Sequence, residues 1–212
     1  ELKTPPLSGP AGIREVRRVL KKVTSLHSGV NDSCGTHVHI DATKWCSDAN
    51  NVENYRRLMN VPRAYQYFEP VLDRLMTRAR RDSGFAHTMV NVSYRPEYLI
   101  HSADDVLENT GQRYLKCNMQ ALRSHRTIEF RQHAGTLNFT KIMSWMILMQ
   151  LLMRRVISER SPYLLDYERN LDGLYRFLAI DNSSDPLICK MKSVYDARYT
   201  RTAGRSAREA RA

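Results

Sequence analysis

Between Ile142 and Met153 nearly every residue is apolar, broken only by Ser144 and Gln150 before Arg154 and Arg155 end the run. At about 12 residues it is too short for a bilayer, which asks for roughly 20. The wider pattern from Asn138 to Glu159, with Met143, Trp145, Met146, Leu148, Met149, Leu151, Leu152 and Val156, predicts a long helix that is apolar nearly all round. Such a helix has to lie inside the molecule, against a sheet. Trp145, Trp45 and the methionines are therefore assigned to the core rather than to a ligand pocket.

The 212 residues suffice for one ordinary domain, or one domain with appendages. With 42% hydrophobic and 26% charged residues, and few glycines and prolines, the chain is neither collagen-like nor disordered. Its net charge of +11 and pI of about 9.7 raise nucleic acid or phosphate as partners. From Lys190 onward, Lys190, Lys192, Arg198, Arg201, Arg205, Arg208 and Arg211 face only Asp196 and Glu209, so much of that excess sits in a basic C-terminal tail. Cys34, Cys46, Cys117 and Cys189 show no C-x-x-C spacing and no signal-like segment opens the chain, which predicts reduced thiols and a cytoplasmic location without a membrane. The chain opens at Glu1, in what reads as the end of a strand before Pro5-Pro6, and a preceding segment is expected to be missing.

Ile13, Val16, Val19, Leu20 and Val23, with Arg14, Arg17, Arg18, Lys21 and Lys22 between them, predict an amphipathic helix with a basic face. A helical pattern spans Val52 to Arg81, interrupted near Pro62 and Pro70. Residues 86–111 read as a loop with one short helix starting near Asp104. Tyr114–Met119 and Thr127–His133 predict two antiparallel strands joined by Ala121–His125. Leu171–Leu178 predicts a helix, and Ser184-Asp185-Pro186 the start of a last one, frayed beyond Arg198.

Cys34–Asp41 and Thr127–His133 carry the chemistry. Strand alternation puts His37, His39 and Asp41 on one face and Val38 and Ile40 on the other; it likewise groups Thr127, Glu129, Arg131 and His133 against Ile128 and Phe130. An outer sheet face without a function shows the same alternation. The concentration of ligand-type side chains, flanked by Cys34-Gly35 and Gly135-Thr136 where small residues allow close approach, favours a site. Three histidines point to zinc; carboxylate with histidine also suits magnesium or manganese. Arg131 favours an anion between itself and a cation, the arrangement of phosphoryl transfer.

Ser33–Asp41, Arg113–Asn118, Arg126–Leu137 and Trp145 together resemble the amidoligase family, carboxylate–amine ligases related to glutamine synthetase and glutamate–cysteine ligase. Glu1–Leu7 fits the family's Glu-containing strand and Pro-Pro turn, so the resemblance covers most of residues 1 to about 160. It implies an α+β domain with a mainly antiparallel sheet, helices on one face and a polar concave, glutamine-synthetase-like face. Residues 1–160 would form this catalytic domain, and 161–212 a helical extension ending in the basic tail. The family's first strand pair, with its Gly-x-Glu-x-Glu carboxylates, has no counterpart before Glu1, so the domain is expected to lack its N-terminal strands.

The implied activity is ATP-dependent amide formation through an acyl phosphate, on a small-molecule or peptide carboxylate and amine. Mg²⁺, with Mn²⁺ as an alternative, would be held by Glu1, His37, His39 and Glu129. Arg131, with Arg80 and Arg81, would contact the nucleotide, while Glu129, Arg131 and His133 would be catalytic. Cys34 is structural or substrate-contacting. Two rivals remain: a zinc-dependent hydrolase using the histidines, and a basic nucleic-acid binder limited to salt-sensitive, non-specific attraction. Oligomeric state is not legible.

Overall fold

The computed structural model describes residues 2–46, 51–81, 83–158 and 163–209, the last seven as backbone. Among these residues the fold is α+β, with eight α-helices and one small antiparallel sheet. The order is α1 (Gly9–Ser25), β1 (Gly35–Asp41), α2 (Thr43–Cys46), α3 (Val52–Arg74), α4 (Ala103–Thr110), β2 (Cys117–Asn118), α5 (Ala121–His125), β3 (Thr127–Ala134), α6 (Phe139–Ser158), α7 (Leu171–Phe177) and α8 (Pro186–Glu209). Among the described residues no helix is long and apolar enough to cross a membrane.

Strand β3 is central, pairing antiparallel with β1 on one side and β2 on the other. Its Ile128 and Phe130, with Val38 of β1, are buried in the apolar core. There the Tyr65 ring of α3 stacks on Phe130, with centroids 5.8 Å apart. Helix α6 packs on α3 and buries Trp145, Leu148, Met149, Leu152 and Val156, as its all-round apolarity requires.

Several local expectations change. Helix α3 runs through both prolines, because buried neighbours on each side (Leu58, Met59 and Val61; Phe68, Val71 and Leu72) hold by packing what two missing backbone donors weaken. It stops at Arg74, and Arg78–Arg80 form a separate 3-10 turn. The segment expected as strand from Tyr114 keeps only Cys117–Asn118 in the sheet. On its other edge this segment bonds to His87, whose N–H donates to the Tyr114 carbonyl at 2.7 Å and whose carbonyl accepts from Lys116 N at 3.1 Å, while the Lys116 carbonyl still accepts from Arg131 N of β3 at 2.8 Å. Residues 2–8 form no strand, and Glu1 lies outside the described residues. Helix α8 begins as read, with Asp185 Oδ1 accepting from the N–H groups of Leu187 and Ile188, but its backbone stays helical to Glu209.

Candidate active site

The register sets His39 of β1 opposite Glu129 of β3, and Asn118 of β2 opposite the same glutamate. Both neighbouring strands thus deliver polar groups to one carboxylate. Glu129 Oε1 lies 2.7 Å from Arg131 Nη1, 3.1 Å from His37 Nδ1 and 3.6 Å from His39 Nε2; Oε2 accepts from Asn118 Nδ2 at 2.6 Å. Burial alone would raise the pKa of Glu129. Hydrogen bonds from His37, His39 and Asn118 and the charge of Arg131 outweigh it, holding the group well below the usual carboxylate range.

Exposure grades across this cluster. The Glu129 and Arg131 side chains are 7% and 8% exposed, whereas His37 and His39 are 30% and 40% exposed. The imidazoles are therefore the solvent-facing members of the cluster. His39 is steered by Thr127, whose Oγ1 lies 2.8 Å from its Nδ1, and by an edge-on contact with the His125 ring. The Arg131 guanidinium donates from Nε to the Phe85 carbonyl at 3.1 Å and sits 5.6 Å from the Tyr114 ring centroid. Asp41 turns away to Thr43, capping its N–H and hydroxyl at 3.0 and 2.6 Å.

His133 does not join them. Thr36 pairs with His133 and Val38 with Phe130, so two steps along β1 match three along β3. This β-bulge in β3 interrupts the alternation and turns His133 to the side of its partner Thr36, the core side. There the ring is buried, 5.6 Å from Trp145, with Nδ1 2.7 Å from the Ala134 carbonyl. Because that carbonyl only accepts, Nδ1 is assigned the proton. Burial pulls the pKa down to about 4 against the pull of the Ala134 carbonyl, so the ring is neutral at pH 7.

The bulge explains Arg80. Its buried guanidinium donates from Nη2 to the Arg131 carbonyl at 2.5 Å and from Nε to the Gln132 carbonyl at 3.3 Å, the two residues the bulge takes out of register. Gly35 makes this approach feasible, since a Cβ there would lie 2.9 Å from both Arg80 Nη2 and His37 Nε2. Gly135 plays the matching part, because its Cβ would fall 2.4 Å from that of Cys34. Arg81 is half-buried and makes no contact with the Glu129 cluster among the hydrogen bonds described.

Behind the sheet lies a second polar network. The amine of Lys116, fully buried, bonds Glu69 Oε1 at 2.6 Å and Asp73 Oδ1 at 2.7 Å; Gln132 links Asp73 to the Tyr65 hydroxyl. Glu69 also accepts from Thr88 Oγ1 and Met89 N, tying down the loop after the 3-10 turn. Asn118, Lys116, Glu69 and Asp73 had no assigned role in the sequence reading. The available signal was Tyr65, Glu69 and Asp73 at four-residue spacing on one helix face, but their partners lie far along the chain.

Among the described residues no group of three or more His, Cys, Asp or Glu side chains is arranged to hold a metal ion. Both oxygens of Glu129 are engaged by donors, and Glu1 lies outside the described residues. The side chains described do not by themselves make a magnesium or zinc site.

Residues 1–153 match a family model described as "Putative amidoligase enzyme". No curated protein and no solved structure matches the chain.

Proposed function

Since the chain belongs to the amidoligase family, a family of ligase-type enzymes, we propose that it joins a carboxylate to an amine at the expense of ATP, through an acyl phosphate, at the face built on Glu129. The observation that carries this reading is the shared acceptor: Glu129 Oε1 gathers Arg131 from its own strand and His37 and His39 from β1 within 3.6 Å. An ionised, buried carboxylate fixed to a guanidinium holds a permanent charge in place, and a pre-aimed cation of this kind stabilises charge developing on a transferred phosphoryl group.

Each side chain has a part in this reading. Arg131 meets the anion: Nε and Nη1 are anchored by Phe85 and Glu129, while Nη2 makes no hydrogen bond among the described residues. Glu129 orients Arg131 and, through its hydrogen bonds, the imidazoles. His37 and His39, the exposed members, contact the reacting carboxylate and amine, and His37, whose Nδ1 is turned to Glu129, has its Nε2 left to accept the proton the amine loses. His133, neutral and packed on Trp145, acts in packing rather than in chemistry, and Arg80 supports the backbone beneath Arg131. Magnesium enters as the counter-ion ATP brings with it. No step is assigned to a metal held by the protein, because the described ligands do not fit one.

The test is an assay of the natural protein for ADP formation that requires both an amine and a carboxylate, repeated with Glu129→Gln and Arg131→Ala. Turnover unchanged in both variants rejects the assignment. ATP-independent hydrolysis stimulated by zinc would favour the hydrolase rival instead.

A further inference from the structure

Helix α1 packs on α6, and a cleft of about 500 Å³ opens between α1 and the chain that leads from β3 into α6. One wall carries Arg17, Leu20, Lys21 and Thr24, whose three- and four-residue spacing puts them on one helix face. The other carries Leu137, in the connection after β3, and Phe139, the first residue of α6. Leu20 is 7% exposed and Leu137 and Phe139 are half-buried, so the apolar groups form the floor. Arg17 and Lys21 are exposed and stand at the rim.

These two cations lack a carboxylate. Helix α1 has Arg14, Arg17, Arg18, Lys21 and Lys22 but a single acid, Glu15, and Arg18 holds that acid at 2.7 and 2.6 Å. Among the described residues neither Arg17 nor Lys21 forms an ion pair or a side-chain hydrogen bond. Like charges four residues apart oppose helix formation, so helix stability does not account for the pair. Arg17 is also aimed in advance. Its guanidinium lies 4.5 Å over the Phe139 ring, which holds the planar fork at the mouth of the cleft with its donors unused.

The occupant must bring negative charge to the rim and apolar surface to the floor. A bilayer needs apolar residues that project, whereas here they are recessed behind the cations. A nucleic-acid strand would answer the cations and leave the floor uncovered, and a face of the Phe139 ring is already taken by Arg17. A peptide meets both demands. Arg17 and Lys21 are about 6 Å apart along the helix axis, close to the roughly 6.6 Å between alternate side chains of an extended chain. Alternation turns the residue between those two the other way. We propose that this cleft docks an extended acidic segment of a partner protein, in which two carboxylates flank an aliphatic or aromatic side chain. The carboxylates meet Arg17 and Lys21, and the apolar side chain enters between Leu20, Leu137 and Phe139. None of these residues belongs to the Glu129 cluster, so docking stands apart from the chemistry proposed there.

The experiment is isothermal titration calorimetry of the natural protein with the capped peptide Ser-Glu-Leu-Glu-Phe-Glu-Ser. Saturable binding is expected, weakened roughly tenfold when glutamines replace the glutamates and roughly tenfold when serines replace the leucine and phenylalanine. Lys21→Glu, at an exposed position with no partner to lose, should weaken binding by roughly tenfold or more. Lys22→Glu makes the same change of charge at a residue that does not line the cleft and should do much less. Glu129→Gln should leave binding as it is. A single-stranded oligonucleotide and phosphatidylserine vesicles, added as rival occupants at matched charge, should not displace the peptide. Absence of binding, displacement by either rival, indifference to loss of the apolar side chains, or equal losses in Lys21→Glu and Lys22→Glu overturns the proposal.

Discussion

Arg80 holds the main chain of Arg131 by its carbonyl, 2.5 Å from Nη2, while Arg131's own side chain reaches the other way to Glu129 at 2.7 Å. A buried arginine is thus used as backbone support under a second arginine that faces the site. The charge of Arg131 also depresses the pKa of Arg80, secondary to burial, so the arrangement is held by hydrogen bonds against electrostatic repulsion.

Arg80→Ala leaves two carbonyls of the bulge without donors and should destabilise the protein by about 2–4 kcal/mol, read from denaturant midpoints. Gly35→Ala drives a methyl group against Arg80 Nη2 and His37 Nε2, at 2.9 Å each. His37 is free to swing outward and Arg80 is not, so most of the strain falls on Arg80. The cost of Gly35→Ala should therefore shrink in the Arg80→Ala background; additive costs in the double-mutant cycle would show that the two do not press on one another.

His133 gives a pH signature. Its folded pKa of about 4 lies below the ordinary 6.5, so between those values the unfolded chain binds a proton that the folded one refuses. Stability contributed by the neutral ring is complete above pH 6.5 and is lost as pH falls from there to about 4, on the order of 3 kcal/mol in all. His133→Gln should flatten the stability profile across that window. An NMR titration placing the imidazole near 6.5 would contradict the burial described.

Glu129 works at the other end of the scale. Its folded pKa is depressed, so its contribution is present above the unfolded carboxylate value and is lost as pH drops below it toward the folded one. Natural protein should therefore lose stability more steeply below pH about 4 than Glu129→Gln does, as measured by urea unfolding at stepped pH. Parallel curves would mean that the carboxylate is not held by His37, His39, Asn118 and Arg131.

Lys116→Met leaves Glu69 and Asp73 facing each other without the ammonium between them. The expected loss is about 3–5 kcal/mol. Adding Glu69→Gln and Asp73→Asn should return part of it, because the uncompensated charge, and not the missing contact, carries most of the cost. No recovery in the triple variant would assign the loss to packing.

What the sequence disclosed follows from distance along the chain. Period-two alternation marked β1 and β3 and the sharing of His37, His39, Glu129 and Arg131, because each pattern is written in consecutive residues. The apolar run of α6 and the Asp185-Pro186 start of α8 were legible for the same reason. His133 was assigned to the wrong face because a bulge is a property of two strands in register and leaves no mark in one of them. Lys116 with Glu69 and Asp73 joins residues 43 to 47 positions apart, and the support of Arg131 by Arg80 spans 51. The continuity of α3 through Pro62 and Pro70 depended on core contacts that helix propensity does not see.

Steady-state ADP release by the natural protein, with carboxylate and amine each withheld in turn, tests the central claim most directly. The account predicts release only when both are present and a fall in kcat of roughly 100-fold or more in Arg131→Ala, while Arg131→Lys, which keeps the charge but not the planar fork, lies between. ADP release that ignores the amine, or an Arg131→Ala protein that turns over at the natural rate, would contradict it.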